Sequence, residues 1–200
     1  MKNRQILVTG HRGFLCSHLM EALSGNWFTE FSGNVCERKM YTNVDIVIHF
    51  ASPSQDIEFV DKIGTASTII DGTLNLLEIA IENRAKFIFA STMGIYDARP
   101  GLGTIYETCK LAMDSYIQSV YNDYVILRIP RVYGKTRTKG LMRKLREGTV
   151  PQKDMSNKIE FMTVDEFVDQ TVTVLGRSGY VHEYNVPHKE TIRQIKRRFL

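Results

Sequence analysis

The stretch Gln5-Ile6-Leu7-Val8-Thr9-Gly10-His11-Arg12-Gly13-Phe14-Leu15-Cys16 decides how the chain is read. Residues 5–9 form a short apolar run closed by Gly10, the pattern of a buried strand. Beyond Gly13, leucines recur at 15, 19 and 23, which predicts a helix over 14–23, and Gly25 follows as a stop. A glycine turn between strand and helix is where a dinucleotide's pyrophosphate binds. Glycine lets the backbone approach phosphate, and the helix N-terminus offers unpaired N–H groups and a positive dipole end. The spacing is G-x-x-G-x-x-C, with Cys16 where a third glycine usually permits close helix–strand packing. A bare Gly pair after a strand also reads as an ordinary turn, so the nucleotide reading rests on its surroundings.

Those surroundings alternate. Apolar runs at 44–50, 86–90 and 124–129 predict buried strands, and 27–31 alternates like one. Helical spacing covers 65–83, carrying Ile69, Leu76, Ile79 and Ala80, and 105–121. Strands separated by helices predict an α/β fold, a Rossmann-like doubly wound parallel sheet. After Pro130 the texture changes. Residues 135–146 hold six basic residues and no acidic one. A short strand (161–164), a helix (165–175), a strand (182–186) and a basic helix (191–200) follow. The expected organisation is a dinucleotide-binding domain over 1–129 and a small C-terminal substrate lobe over 130–200.

Composition narrows the classes. Of 200 residues, 43% are hydrophobic and 24% charged, enough to form a core. No stretch approaches the roughly 20 apolar residues of a membrane span. Residues 1–4 are polar and the run 6–8 is too short for a signal core, so no secretion signal is expected. Cys16, Cys36 and Cys109 are widely spaced without a CxxC pair, which predicts no disulfide framework, no metal site and a reducing cytoplasm. The net charge of +4 is uneven: residues 1–134 hold 12 Lys/Arg against 14 Asp/Glu, and 135–200 hold 14 against 8. The asymmetry asks for an anionic partner. Nucleic acid, a phosphorylated small molecule and plain solubility all stay open at this point, although residues 135–146 lack the interleaved aromatics of a single-strand nucleic-acid site.

Tyr106-Glu107-Thr108-Cys109-Lys110 opens a predicted helix. Residues four apart share a face, and an ammonium beside a phenol lowers its pKa. Such a tyrosine can exchange a proton with an alcohol while hydride leaves the same carbon. A solvated Tyr–Lys pair on a helix surface has the same spacing. Ser91 and Thr92 end the strand at 86–90, and ligands in open parallel sheets sit beyond strand carboxyl ends. Thr92 could there meet a substrate hydroxyl. As a bare pair, the two also read as turn residues or a helix cap.

Taken together, these motifs resemble the extended short-chain dehydrogenase/reductases, the NAD-dependent epimerases and dehydratases of nucleotide sugars. The anchors are TGHRGFLCSHL (9–19), DIVIHFASP (45–53), GTLNLLE (72–78), FIFASTMGIY (87–96), YETCK (106–110), RIPRVYG (128–134), FMTVDEF (161–167) and EYNVP (183–187). HFASP and ASTMGIY resemble UDP-glucuronate decarboxylases most, and GHRG resembles GDP-fucose synthases. The resemblance implies Tyr106 as acid/base, Lys110 lowering its pKa and holding the nicotinamide ribose, and Thr92 orienting the reacting hydroxyl. It places Gly10, Gly13, Phe14 and Leu15 on the pyrophosphate and Asn34 and Val35 on adenine. Phe50, Ala51 and Ser52 would line the cofactor, with Pro130 and Val132 near the nicotinamide. Ser91, Arg131 and Lys139 complete the expected substrate contacts. NAD is the implied cofactor, with Glu30 on the ribose. Arg12 points instead to a 2′-phosphate, so NADP stays open.

Departures accompany the resemblance. The chain is shorter than typical members. The segment 26–37 resembles the third strand and adenine pair, which leaves the second strand and its helix missing. The segment between Tyr96 and Tyr106 is short. Gly94 stands where decarboxylases and dehydratases carry a glutamate, Arg131 replaces an asparagine, and Ile159, beside Lys158, takes the place of a diphosphate-binding arginine. The expected function is transient oxidation of a nucleotide-sugar hydroxyl by Thr92, Tyr106 and Lys110. The alternative is a degenerate, non-catalytic dinucleotide binder. A homodimer through 65–83 and 105–121 is a further expectation.

Overall fold

Strand β1 (Gln5–Thr9) is buried from Ile6 to Thr9, so its alternate residues serve two apolar layers. A computed structural model describes residues 3–54, 56–98 and 103–200, so residues 99–102 of the short segment before Tyr106 lie outside the description. The chain proceeds through α1 (Phe14–Ala22), β2 (Trp27–Glu30), β3 (Ile46–His49), α2 (Lys62–Asn83), β4 (Lys86–Thr92), α3 (Ile105–Val120) and β5 (Tyr124–Ile129). It continues with β6 (Val132–Tyr133), α4 (Gly140–Arg146), β7 (Lys158–Thr163), α5 (Val164–Val174), β8 (Tyr180–Glu183), β9 (His188–Thr191) and α6 (Ile192–Phe199).

The main sheet has six strands in the order β2-β1-β3-β4-β5-β8, all parallel. Ile6, Val8, Ile48, Ile88 and Leu127 face α1 and α5, where Leu19 and Phe167 are fully buried. Leu7, Val47, Phe87, Phe89 and Ile126 face α2 and α3, against Ile69, Leu76, Met113 and Ile117. This is the expected Rossmann-like architecture, with helices on both faces.

Two expectations are corrected. Residues 27–30 pair directly with β1, Gln5 opposite Trp27 and Val8 opposite Glu30. They hold the place of the second strand in the order 3-2-1-4-5-6, so the unit that is absent is the third. A right-handed return through α1 sets β2 beside β1 whatever its local sequence resembles. The segment 130–200 is also not one contiguous lobe. Strand β8 joins the main sheet beside β5, and α5 packs over it. Strands β6, β7 and β9 form a second, three-stranded sheet, with α4 and α6 around Tyr133, Met142, Phe161 and Ile195.

Candidate active site

The glycine turn is shaped by close backbone contact. Gly10 has φ +72°, and a Cβ there would lie 2.7 Å from the Ala51 nitrogen and the Phe50 carbonyl carbon. Thr9 braces the same corner. Its Oγ1 accepts from the Ala51 N–H at 3.1 Å and pairs with His49 Nδ1 at 2.7 Å, while His49 Nε2 meets Thr73 Oγ1 at 3.1 Å. Burial holds His49 neutral, its pKa pulled down to about 3. Gly13 caps α1 without a side-chain hydrogen bond, leaving the first-turn N–H groups for an anion. Cys16 is buried with Sγ 3.8 Å from the Thr9 carbonyl, so helix and strand pack closely despite the lost glycine. Arg12 is exposed at the turn.

Glu30 ends β2 next to this turn, with its carboxylate 3.1 Å from His11 Nε2. Both border a shallow depression of about 430 Å³ with Phe28 and Met20. Asn34 caps its own turn by accepting from the Cys36 N–H at 3.0 Å. Val35 packs on α2 at Gly72, where a Cβ would meet its Cγ2 at 2.7 Å, and Asn75 donates to the Val35 carbonyl.

A cleft of about 870 Å³ opens beyond the carboxyl ends of β3, β4 and β5. Leu15, Phe50, Ser52, Thr92, Tyr106 and Lys110 line it from the main sheet, and Pro130, Arg131 and Val132 from the crossing to the second sheet. Gly10, Gly13, Phe14, Glu30, Asn34, Val35, Ala51 and Lys139 lie outside its wall. Thr92 accepts from the Gly94 N–H at 3.1 Å, which leaves its hydroxyl proton to donate. Ser91 also borders the cleft, but its hydroxyl donates to the fully buried Asp114 at 2.9 Å. Arg128 holds that carboxylate through Nε and Nη2 at 3.1 and 3.0 Å. Lys139 pairs with Glu58 at 2.6 Å, linking the basic segment to the turn before α2.

Tyr106 and Lys110 sit one turn apart on α3, whose start is fixed by a capping box between Thr104 and Glu107. Lys110 is buried, donates to the Ala90 carbonyl at 2.7 Å and lies 5.8 Å from the centre of the Tyr106 ring. The electrostatics depart from the expectation that Lys110 lowers the phenol's pKa. Burial pushes Tyr106 up to about 12, Glu107 adds to the rise, and the cation opposing it is Arg137. Burial pulls Lys110 itself down to about 7.

Four residues beside the turn and cleft escaped the sequence reading: Arg137, Glu107, Phe59 and His11. Phe59 stacks on Tyr106 with ring centres 5.0 Å apart. Glu107 fills the space at Gly94, its Oε1 3.0 Å from where a Cβ would stand. Glu107 and His11 lie inside quoted motifs that gave them no role, no short motif marks Phe59, and the basic run was the one signal for Arg137.

The NAD dependent epimerase/dehydratase family model matches residues 6–186. UDP-glucuronic acid decarboxylase 6 of Arabidopsis thaliana is 28% identical over 120 residues, covering 47% of this chain and 35% of that protein. The human dTDP-D-glucose 4,6-dehydratase is 26% identical over 181 residues, covering 66% and 52%. The chain thus spans about half or less of these curated relatives' length. The UDP-N-acetylglucosamine 4-epimerase of Methanobrevibacter ruminantium, solved with UDP-N-acetylmuramic acid, superposes with a TM-score of 0.81 at 19% identity over 98% of this chain and 81% of that one. That likeness concerns the fold, and the family model carries the assignment: the chain belongs to the NAD dependent epimerase/dehydratase family.

Proposed function

We propose that the protein is an NAD-dependent enzyme that transiently oxidises a hydroxyl of a nucleotide sugar. The observation that carries this reading is the gathering of Thr92, Tyr106 and Lys110 on one wall of a single cleft at the strand ends. The Gly10 corner, where any Cβ would strike backbone, and the uncapped start of α1 fit a dinucleotide pyrophosphate. Gly10, Gly13, Phe14 and Leu15 would hold it, Glu30 the ribose, Asn34 and Val35 the adenine side, and Phe50, Ala51, Ser52, Pro130 and Val132 the remainder. Glu30 beside the turn favours NAD, and Arg12 is the residue that would receive the 2′-phosphate of NADP. The dinucleotide, when bound, supplies the hydride acceptor.

The chain's own groups handle the proton. Tyr106 takes it from the sugar hydroxyl and returns it after the intermediate changes. Thr92, its Oγ1 lone pair engaged by Gly94, donates to the same hydroxyl and orients it. Lys110 stands one turn away to hold the ribose, and the positive charge that opposes the rise in the phenol's pKa comes from Arg137. Arg131 and Lys144, cations on the cleft wall, suit the sugar's diphosphate. Dimerisation through α2 and α3 is part of the same proposal. A degenerate binder would keep the glycine corner without needing Tyr106 and Lys110 together in the cleft.

Tyr106→Phe tests the chemistry. The variant is expected to bind NAD normally, because the ring that lines the cleft and stacks on Phe59 is kept and only the phenol oxygen is lost. Its turnover should fall roughly 10²–10⁴-fold, the usual range for a lost acid/base. Parent-like turnover would remove Tyr106 from the mechanism.

A further inference from the structure

Three of the six cations of the segment 135–146 are engaged with partners at the surface. Lys139 pairs with Glu58, Arg143 lies 3.8 Å from Glu147, and Arg146 donates to the carbonyls of Arg137 and Lys135. Arg137 differs in that no ion pair among the described residues engages its guanidinium, while its Nε, like that of Arg143, is buried without a hydrogen-bond partner. The guanidinium lies over the Phe14 ring, 5.4 Å from its centre, and borders the same cleft as Tyr106 and Lys110.

The turn that carries it is braced. The Arg137 N–H donates to the Gly134 carbonyl at 3.2 Å, and Arg146 holds the Arg137 carbonyl. Gly134 packs so closely on Phe14 that a Cβ would stand 3.0 Å from its Cζ. The second sheet therefore delivers Arg137 onto the side chain of Phe14, the first residue of α1, a helix whose N-terminus has no side-chain cap. A guanidinium partly withdrawn from water without a counter-charge is costly, and burial pulls its pKa below the usual arginine value. Its planar fork matches phosphate oxygens bidentately.

We infer that Arg137 closes from the second sheet over the pyrophosphate of a dinucleotide bound at the Gly10–Gly13 turn. The inference deepens the function proposed above and rests on it. The anion is held from two sides, by backbone N–H groups of α1 and by a side chain 124 residues or more along the chain from that turn. Dinucleotide binding then clamps the second sheet to the main one, and part of the basic excess beyond residue 134 has a ligand.

Calorimetry on the full chain at low salt tests this with Arg137→Met, Arg137→Gln and Arg137→Lys, using NAD, ADP-ribose, AMP and UDP as probes. Both neutral variants should bind NAD and ADP-ribose about 10–100-fold more weakly, the loss expected for a charged hydrogen-bonding partner. AMP, which has no pyrophosphate, and UDP should change by less than about threefold, and Arg137→Lys should keep most of the affinity. ADP-ribose lacks nicotinamide, so its loss separates a pyrophosphate contact from an effect through Tyr106. If both neutral variants fold with parent-like NAD affinity, the inference is overturned. A loss confined to UDP also overturns it, by assigning the arginine to a substrate diphosphate. A parent protein that binds no NAD or ADP-ribose refutes the dinucleotide reading itself, and the inference with it.

Discussion

At Lys110 a charge is held where charge is expensive. Burial pulls its pKa from 10.5 to about 7, and its ammonium donates to the Ala90 carbonyl. Below about pH 7 the folded chain must carry a buried ammonium that the unfolded chain hydrates. Between about 7 and 10.5 the unfolded chain keeps its proton while the folded chain has lost it, so unfolding free energy rises with pH across that window. Lys110→Met removes the rise. Its melting temperature should exceed the parent's by several degrees at about pH 6, for a difference above ~1 kcal/mol, and the gap should narrow towards about pH 10. A gap that does not vary with pH contradicts the buried-cation account. The Tyr-x-x-x-Lys spacing showed that the two residues share a helix face. It could not show which cation reaches the phenol, because that depends on where residue 137 returns in space.

At the scale of elements, the turn into α1 concentrates the binding argument. Gly13 caps the helix with no side chain, and the oxygen of Gly10 lies 2.9 Å from where its Cβ would be. Gly13→Asp would place a carboxylate among the N–H groups offered to the pyrophosphate. Calorimetry should then show NAD affinity reduced by at least about 100-fold, with far-ultraviolet dichroism unchanged. Undiminished affinity would remove this turn from the site. Legibility in the sequence followed burial. The runs at 5–9, 86–90 and 124–129 announced strands because both faces of each are covered. Strand β9, His-Lys-Glu-Thr, has no apolar pattern and exists through its antiparallel pairing with β7. Strand β2 carried a misleading likeness, because its neighbour is set by the crossover through α1 and not by its own residues.

Over the whole molecule, the outer faces of α2 and α3 remain apolar in part. Leu74 and Ile81 on α2, and Tyr116 and Val120 on α3, are 37–46% exposed and recur at helical spacing. The proposed homodimer buries them. Light scattering after size exclusion should find a dimer for the parent and a monomer for Ile81→Glu combined with Val120→Glu. A monomeric parent would refute the pairing while leaving the cleft chemistry intact. The composition announced an anionic partner through the basic C-terminal third, but not its place. Arg137 reaches Phe14 through the second sheet, a contact no spacing rule encodes.

The central claim is that Thr92, Tyr106 and Lys110 pass a sugar's proton while its hydride goes to a bound dinucleotide. Single-turnover reduction of NAD bound to the parent protein, followed at the nicotinamide absorbance band across a panel of UDP-, GDP- and dTDP-sugars, tests it most directly. The account predicts that at least one sugar reduces the cofactor and that Tyr106→Phe abolishes the signal at equal NAD occupancy. NAD that binds but is reduced by no sugar in the panel would contradict it and leave a dinucleotide-binding protein without this chemistry.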